Sequence, residues 1–174
     1  MTEQQSNAGE PLDDETLAFA ERVFDHARSG DTETLRAMIE QGLPVNLRNH
    51  KGDSLLMLAS YHGHIETSKM LLAAKADPDL RNQNGQTPLA GAAFKGNLDI
   101  IKMLLEHGAD VEGTTPDGKT SLMMAAMFNN VAAIDLLLSH GANPKSCDNN
   151  GVTPLSAAKL MGGPEAVARL EQEQ

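Results

Sequence analysis

Six histidines and one cysteine are the side chains with chemistry to offer beyond packing. His50, His62 and His64 lie close along the chain, a spacing that raises metal ligation, but neither a cysteine nor a carboxylate cluster joins them. His107 and His140 share one position in a repeating pattern. Neighbouring packed helices lie roughly 8–10 Å apart, which places such a pair badly for one ion with bonds near 2 Å. Both suit a helix C-terminus as partial cations. Cys147 is expected to be an ordinary free thiol, and the Gly162-Gly163 pair to be a turn between helices rather than a phosphate loop. No metal, cofactor or catalytic residue is expected. A small metal-binding protein or an enzyme is the weaker alternative.

The elements that position these residues follow from a strict repeat. Gly52, Gly85, Gly118 and Gly151 recur every 33 residues, each followed by Ser54, Thr87, Thr120 or Thr153 and then by Leu56, Leu89, Leu122 or Leu155. Gly30, Gly63, Gly96, Asn129 and Gly162 keep the same period. The dipeptides ending at the first glycine series belong in tight hairpin-like turns. The hydroxyl that follows can accept from free helix N–H groups, with Pro88 and Pro154 at the first helical position. A short Ala-rich helix starts there. A second helix follows the next Gly or Asn, with apolar spacing such as Leu98, Ile101, Met103, Leu104 and Leu105. Gly42, Gly108 and Gly141 mark its end. One such unit cannot bury its apolar faces alone, so the units must stack into a solenoid.

The segment Gly85–Gly113, GQTPLAGAAFKGNLDIIKMLLEHGADVEG, resembles an ankyrin repeat, and its neighbours match in register. The resemblance covers roughly residues 17 to 170 and implies an all-α solenoid of about five 33-residue helix-turn-helix units joined by hairpin-like turns. Repeats fall at about 17–47, 48–80, 81–113, 114–146 and 147–170, forming one domain over 12–170. Residues 1–11 are expected to be a disordered acidic tail and 171–174 a polar end. Repeat one opens with Asp13, Asp14 and Glu15 as an N-terminal cap, and repeat five reads as the C-terminal cap. The family's usual His after Thr-Pro-Leu is replaced by Met57, Ala90, Met123 and Ser156, with Phe24 in the same register of repeat one, so the polar Thr–His link is expected to be absent. The family commonly places a Gly-His pair between its helices, a structural role for His62 and His64 around Gly63. Lys75 stands where other repeats have glycine and is expected to be left-handed, costing on the order of 1 kcal/mol relative to glycine.

The family's partner contacts usually lie on the turn tips and the last two residues of the first helix. Carried over, the tips are His50, Lys51 and Asp53; Gln83, Asn84 and Gln86; Pro116, Asp117 and Lys119; Asn149, Asn150 and Val152. The helix ends are Tyr61 and His62; Phe94 and Lys95; Met127 and Phe128; Leu160 and Met161. Three of the chain's five aromatic residues fall among these helix ends, and Tyr61, Phe94, Met127 and Leu160 form a ladder at period 33. An apolar stripe is implied, with rungs roughly 10 Å apart. The alternative is that some rungs are buried between repeats, which applies first to Leu160 and Met161 beside the C-terminal cap. The residues expected to bind a partner are Tyr61, His62, Phe94, Lys95, Met127, Phe128, Leu160, Lys51, Asn84 and Lys119, with the amide-rich tips supplying hydrogen bonds.

Composition bounds the partner. The chain has 174 residues, 40% hydrophobic and 22% charged, which excludes a collagen-like or wholly disordered chain. Its net charge of −10 argues against nucleic acid and anionic membranes as partners. No stretch approaches the roughly 18 apolar residues of a membrane span, no secretory signal is readable, and one cysteine fits a reducing compartment, so a cytoplasmic protein is expected. The function expected is noncatalytic protein–protein recognition along a concave groove, as an adaptor or inhibitor. A monomer is expected, with a self-associating structural subunit as the alternative.

Overall fold

Ser54, Thr87, Thr120 and Thr153 each turn their hydroxyl onto the backbone N–H three residues ahead, at Met57, Ala90, Met123 and Ser156. These four bonds start α3 (Leu55–Tyr61), α5 (Pro88–Lys95), α7 (Ser121–Met127) and α9 (Pro154–Met161). The computed structural model describes residues 13–174, so the tail expected over 1–11 lies outside the described residues. At its start Asp13 accepts from the Thr16 N–H and caps α1 (Asp14–Ser29). The second helices are α2 (Thr32–Glu40), α4 (Ile65–Ala73), α6 (Leu98–Glu106), α8 (Val131–Ser139) and α10 (Pro164–Glu171). The described residues contain ten helices and no strand beyond two isolated bridges, Arg48 with Ser54 and Thr114 with Thr120.

The odd-numbered helices pack in one row and the even-numbered helices in a second. Leu55, Ala59, Leu89, Ala92, Ala93, Leu122, Ala125 and Ala126 are wholly buried in the first row, where small side chains allow close approach. Leu71, Ile100, Ile101, Leu104, Ile134 and Leu137 fill the space between the rows. Each fully buried leucine or isoleucine contributes about 1.5–3 kcal/mol. Packing therefore holds helices of seven to nine residues that would be marginal alone.

The turns stack by hydrogen bonds. Gln83 N–H donates to the Lys51 carbonyl at 2.9 Å, and Asn149 N–H to the Asp117 carbonyl at 3.0 Å. Within each turn a short polar side chain braces the loop. Asn49 Oδ1 accepts from Lys51 and Asp53, Asn82 Oδ1 from Asn84 and Gln86, Thr115 Oγ1 from Lys119, and Asp148 Oδ1 from Asn150 and Val152. This second polar series at period 33 is not among the residues the sequence reading singles out.

Three particulars bear on the expectations. Lys75 is left-handed, with φ 70°, as its place in the glycine register implies. Asn129 is left-handed too, with φ 55°. Its Oδ1 accepts from Ala166 N–H at 2.8 Å and so caps α10, whose own N-cap residue, Gly163, has no side chain. In repeat five the residue at the replaced His position, Ser156, makes a link of its own: Thr153 N–H donates to Ser156 Oγ at 2.7 Å while Thr153 Oγ1 accepts from Ser156 N–H, a reciprocal cap.

Candidate functional site

Residues three apart on a helix share a face, so Leu58 joins Tyr61, Gly91 joins Phe94, and Met124 joins Met127 on the side of the first-row helices that meets the turn tips. Two adjoining hollows result. The first, of about 460 Å³, has Tyr61 and Phe94 in its walls with Met57, Leu58, Gly91 and Met124, and its polar border includes His50, Lys51, Asp53 and Asn84. The second, of about 490 Å³, is lined by Phe94, Met124, Met127 and Phe128, with Pro116, Asp117 and Lys119 at the tip side. Phe94, Met124, Asn84 and Gln86 belong to both, so the groove is continuous.

Gly91 lines the first hollow beside Tyr61, and a Cβ there would lie in van der Waals contact with Tyr61 Cδ2, at 3.4 Å. Tyr61, Phe94 and Phe128 are 38%, 46% and 49% exposed, large apolar surfaces left in water at one place. The Phe94 and Phe128 rings meet edge to face with centroids 4.9 Å apart, and Lys95 Nζ sits 5.0 Å over the Tyr61 ring. Both of these pairs are 34 positions apart in sequence, one more than the period of the ladder, and the first joins Phe94 and Phe128 into one surface.

The structure brings together Tyr61, His62, Phe94, Lys51 and Asn84 in the first hollow, and Asn84, Phe94, Met127, Phe128 and Lys119 in the second. Lys95 joins them through Tyr61. Leu160 lines neither hollow. Leu160 and Met161 are not buried, since they are 75% and 56% exposed. The final helix, α10, packs on α9, where Ala157 and Ala158 are buried, and leaves this corner of α9 in water.

The tips are less free to bind than their amides suggest. Gln83 Nε2 donates to the His50 carbonyl at 2.8 Å, Asn149 Nδ2 to Pro116 at 3.0 Å, and Asn82 Nδ2 to Asp53 at 2.9 Å. These amides tie one turn to the next. Asn84 is exposed and borders both hollows. Lys119 donates to Asp117, a bond that raises the lysine pKa and, with a second bond from Thr115, lowers that of the aspartate. Residues that line the groove without having been singled out are Met57, Leu58, Gly91 and Met124. Their signal was the i, i+3 spacing from the aromatic ladder and a glycine inside an Ala-rich helix.

Three of the histidines bond to backbone carbonyls of the scaffold. His64 Nε2 donates to the Arg28 carbonyl at 2.7 Å, tying one repeat to the next, and its ring fills the space a side chain at Gly30 would need. His107 and His140 bond through Nδ1 to carbonyls four residues back, at 2.8 and 2.9 Å. His62 stacks on His64 with centroids 6.4 Å apart. Its pKa is lowered by burial first, then by His64, Lys95 and Arg28. The described residues contain no group of three or more His, Cys, Asp or Glu arranged to hold a metal, and no helix long and apolar enough to cross a membrane.

Stacked pairs of helices joined by braced turns, with a groove between turn tips and first-row helices, define a helical repeat scaffold. A family model for ankyrin repeats, in three copies, matches residues 23–115 and 109–173, and the chain belongs to the ankyrin-repeat family. Over 56 residues it is 62% identical to PA3287 of Pseudomonas aeruginosa, a protein named as an ankyrin repeat protein. That match covers 32% of this chain and 33% of the relative, so the chain is matched to about one third of the relative's length. Ankyrin repeats are generally protein-interaction modules, and the family is generally non-enzymatic.

Proposed function

We propose that the protein is a noncatalytic recognition module of the cytosol that holds a partner protein in its concave groove. The observation that supports this is the apolar surface of the exposed Tyr61, Phe94 and Phe128, with the half-buried Met127 beside them, along two adjoining hollows. Ordinary packing would bury such residues, and a binding interface concentrates its energy in a few aromatic anchors of this type. Met127 and Met124 add side chains that repack against different shapes.

The test is cross-linked capture from cytosol with wild type and a folded Tyr61→Ala/Phe94→Ala/Phe128→Ala variant, followed by hydrogen exchange on the recovered complex. Loss of the partner by the variant, with protection of α5 and α7 in the wild-type complex, is the expected outcome. Equal recovery by both proteins would move the site elsewhere. Self-association is the second reading, favoured by the exposure of Leu160 and Met161. It predicts a concentration-dependent dimer in sedimentation that Leu160→Ser abolishes.

A further inference from the structure

The groove is apolar along its length but not electrically uniform. Around the first hollow stand Lys51, Lys95, His50 and His62, and among the described residues neither lysine has a carboxylate within ion-pair reach. Among the described residues one acid lines this hollow, Asp53, which accepts from the neutral amides of Asn82 and Asn49 at 2.9 and 3.3 Å and keeps its charge, so that with Lys51 and Lys95 one net positive charge remains. Arg28, at the same end, is bound to Asp25. In the second hollow the charged residues described, Lys119 and Asp117, cancel each other. The surplus positive charge of the groove lining therefore lies at the Tyr61 end, on a chain of net charge −10.

We propose that the occupant is a peptide segment of a partner protein carrying a bulky apolar side chain flanked by Asp or Glu, its carboxylates toward Lys51 and Lys95 and its apolar side chain between Tyr61 and Phe94. The inference rests on the groove being the working surface. Screening decides how the local cations and the acidic remainder compete. At physiological salt the Debye length is about 8 Å, so a segment seated in the groove feels the lysines at its border more than acids on distant faces. A few carboxylates on a largely apolar segment suit this arrangement. A nucleic acid suits it less, because its many phosphates would extend past the positive end into the field of the remaining acids.

The experiment is a fluorescence-anisotropy titration of the full chain with three labelled ten-residue peptides and an oligothymidylate of equal length. One peptide has a central Leu-Phe between Asp and Glu residues, one the same centre between lysines, and one acidic flanks around Ser-Gly. The acidic apolar peptide is expected to bind at least tenfold tighter than the other three probes. Its affinity should fall at least tenfold in Lys51→Glu/Lys95→Glu and less than twofold in Lys102→Glu, whose lysine lies on α6 away from the groove. Equal or tighter binding of the basic peptide or of the oligonucleotide overturns the proposal, as does failure of every probe to bind. Phe94→Ser separates the two layers of argument. A basic peptide that binds wild type and not Phe94→Ser leaves the groove as the site and removes the acidic preference, whereas binding indifferent to Phe94→Ser removes the groove itself.

Discussion

Lys95 on α5 covers the Tyr61 ring of α3 at 5.0 Å, and Phe94 beside it meets Phe128 of α7 with ring centroids 4.9 Å apart. Adjacent residues of one helix thus reach backward and forward to the two neighbouring repeats. Phe94 is the central member of the groove and lines both hollows. Truncation of Phe94 to Ala should weaken partner binding by roughly 1–3 kcal/mol, while Lys51→Ala at the border should cost well under 1 kcal/mol. Isothermal titration with the captured partner measures both, and equal losses would sink the groove model.

Gly91 sets stability against depth. Glycine inside α5 is about 1 kcal/mol worse than alanine for helix formation, and a methyl group would lie in van der Waals contact with the Tyr61 ring. Gly91→Ala should therefore raise the melting temperature by about 2–4 °C and weaken partner binding. A variant more stable and equally good at binding would show that the hollow above Gly91 goes unused.

The repeat was legible because its signals are local. A positive φ at Gly52 or Gly85 and a hydroxyl cap at Ser54 or Thr87 follow from residue type and position. Tyr61, Phe94 and Phe128 were assigned to the groove by the family resemblance, which puts partner contacts at the end of the first helix. The pairing of Phe94 with Phe128 could not be read from either source, since it depends on how neighbouring repeats stack. The bracing series Asn49, Asn82, Thr115 and Asp148 escaped notice because the residue types differ while the function, a short side-chain acceptor, is shared. The exposure of Leu160 depends on where α10 ends its cover, which is a property of the stack and not of the segment.

Lys75 holds a backbone conformation that glycine adopts without a Cβ penalty. Lys75→Gly removes that strain but adds freedom to the unfolded chain, so the net gain should be at most about 1 kcal/mol. A melting temperature raised by about 2–4 °C is the expected result for a protein of this size. A lower one would show that the lysine side chain contributes more than its backbone costs.

Asn129 combines two roles that can be separated by substitution. Asn129→Gly keeps a residue suited to φ 55° and loses the bond that Asn129 Oδ1 accepts from Ala166 N–H, together with the exposed bond that Asn129 Nδ2 donates to Glu165, a cost of about 1 kcal/mol. Asn129→Ala loses both bonds and adds the left-handed penalty, for roughly 2 kcal/mol in total. Chemical denaturation of the three proteins should rank wild type above Gly above Ala. Equal stability of the two variants would mean that the backbone at 129 relaxes once the cap is gone.

His62 carries a pH dependence whose sign follows from its surroundings. Burial, then His64, Lys95 and Arg28, lower its pKa in the folded protein from the ordinary 6.5, so the unfolded chain takes up the proton first as the solution is acidified. Stability linked to this group is complete above about pH 6.5 and declines as pH falls through the interval between the unfolded and folded values. Below the folded pKa both states are protonated and the decline attributable to His62 ends. His62→Gln should therefore flatten the stability profile between pH 6.5 and its acid limb without altering the limb itself, which belongs to carboxylates such as Asp31, whose pKa is lowered by its bonds from Thr34. Urea unfolding at half-unit pH steps resolves the difference. An unchanged slope in His62→Gln would assign the mildly acidic loss to another group.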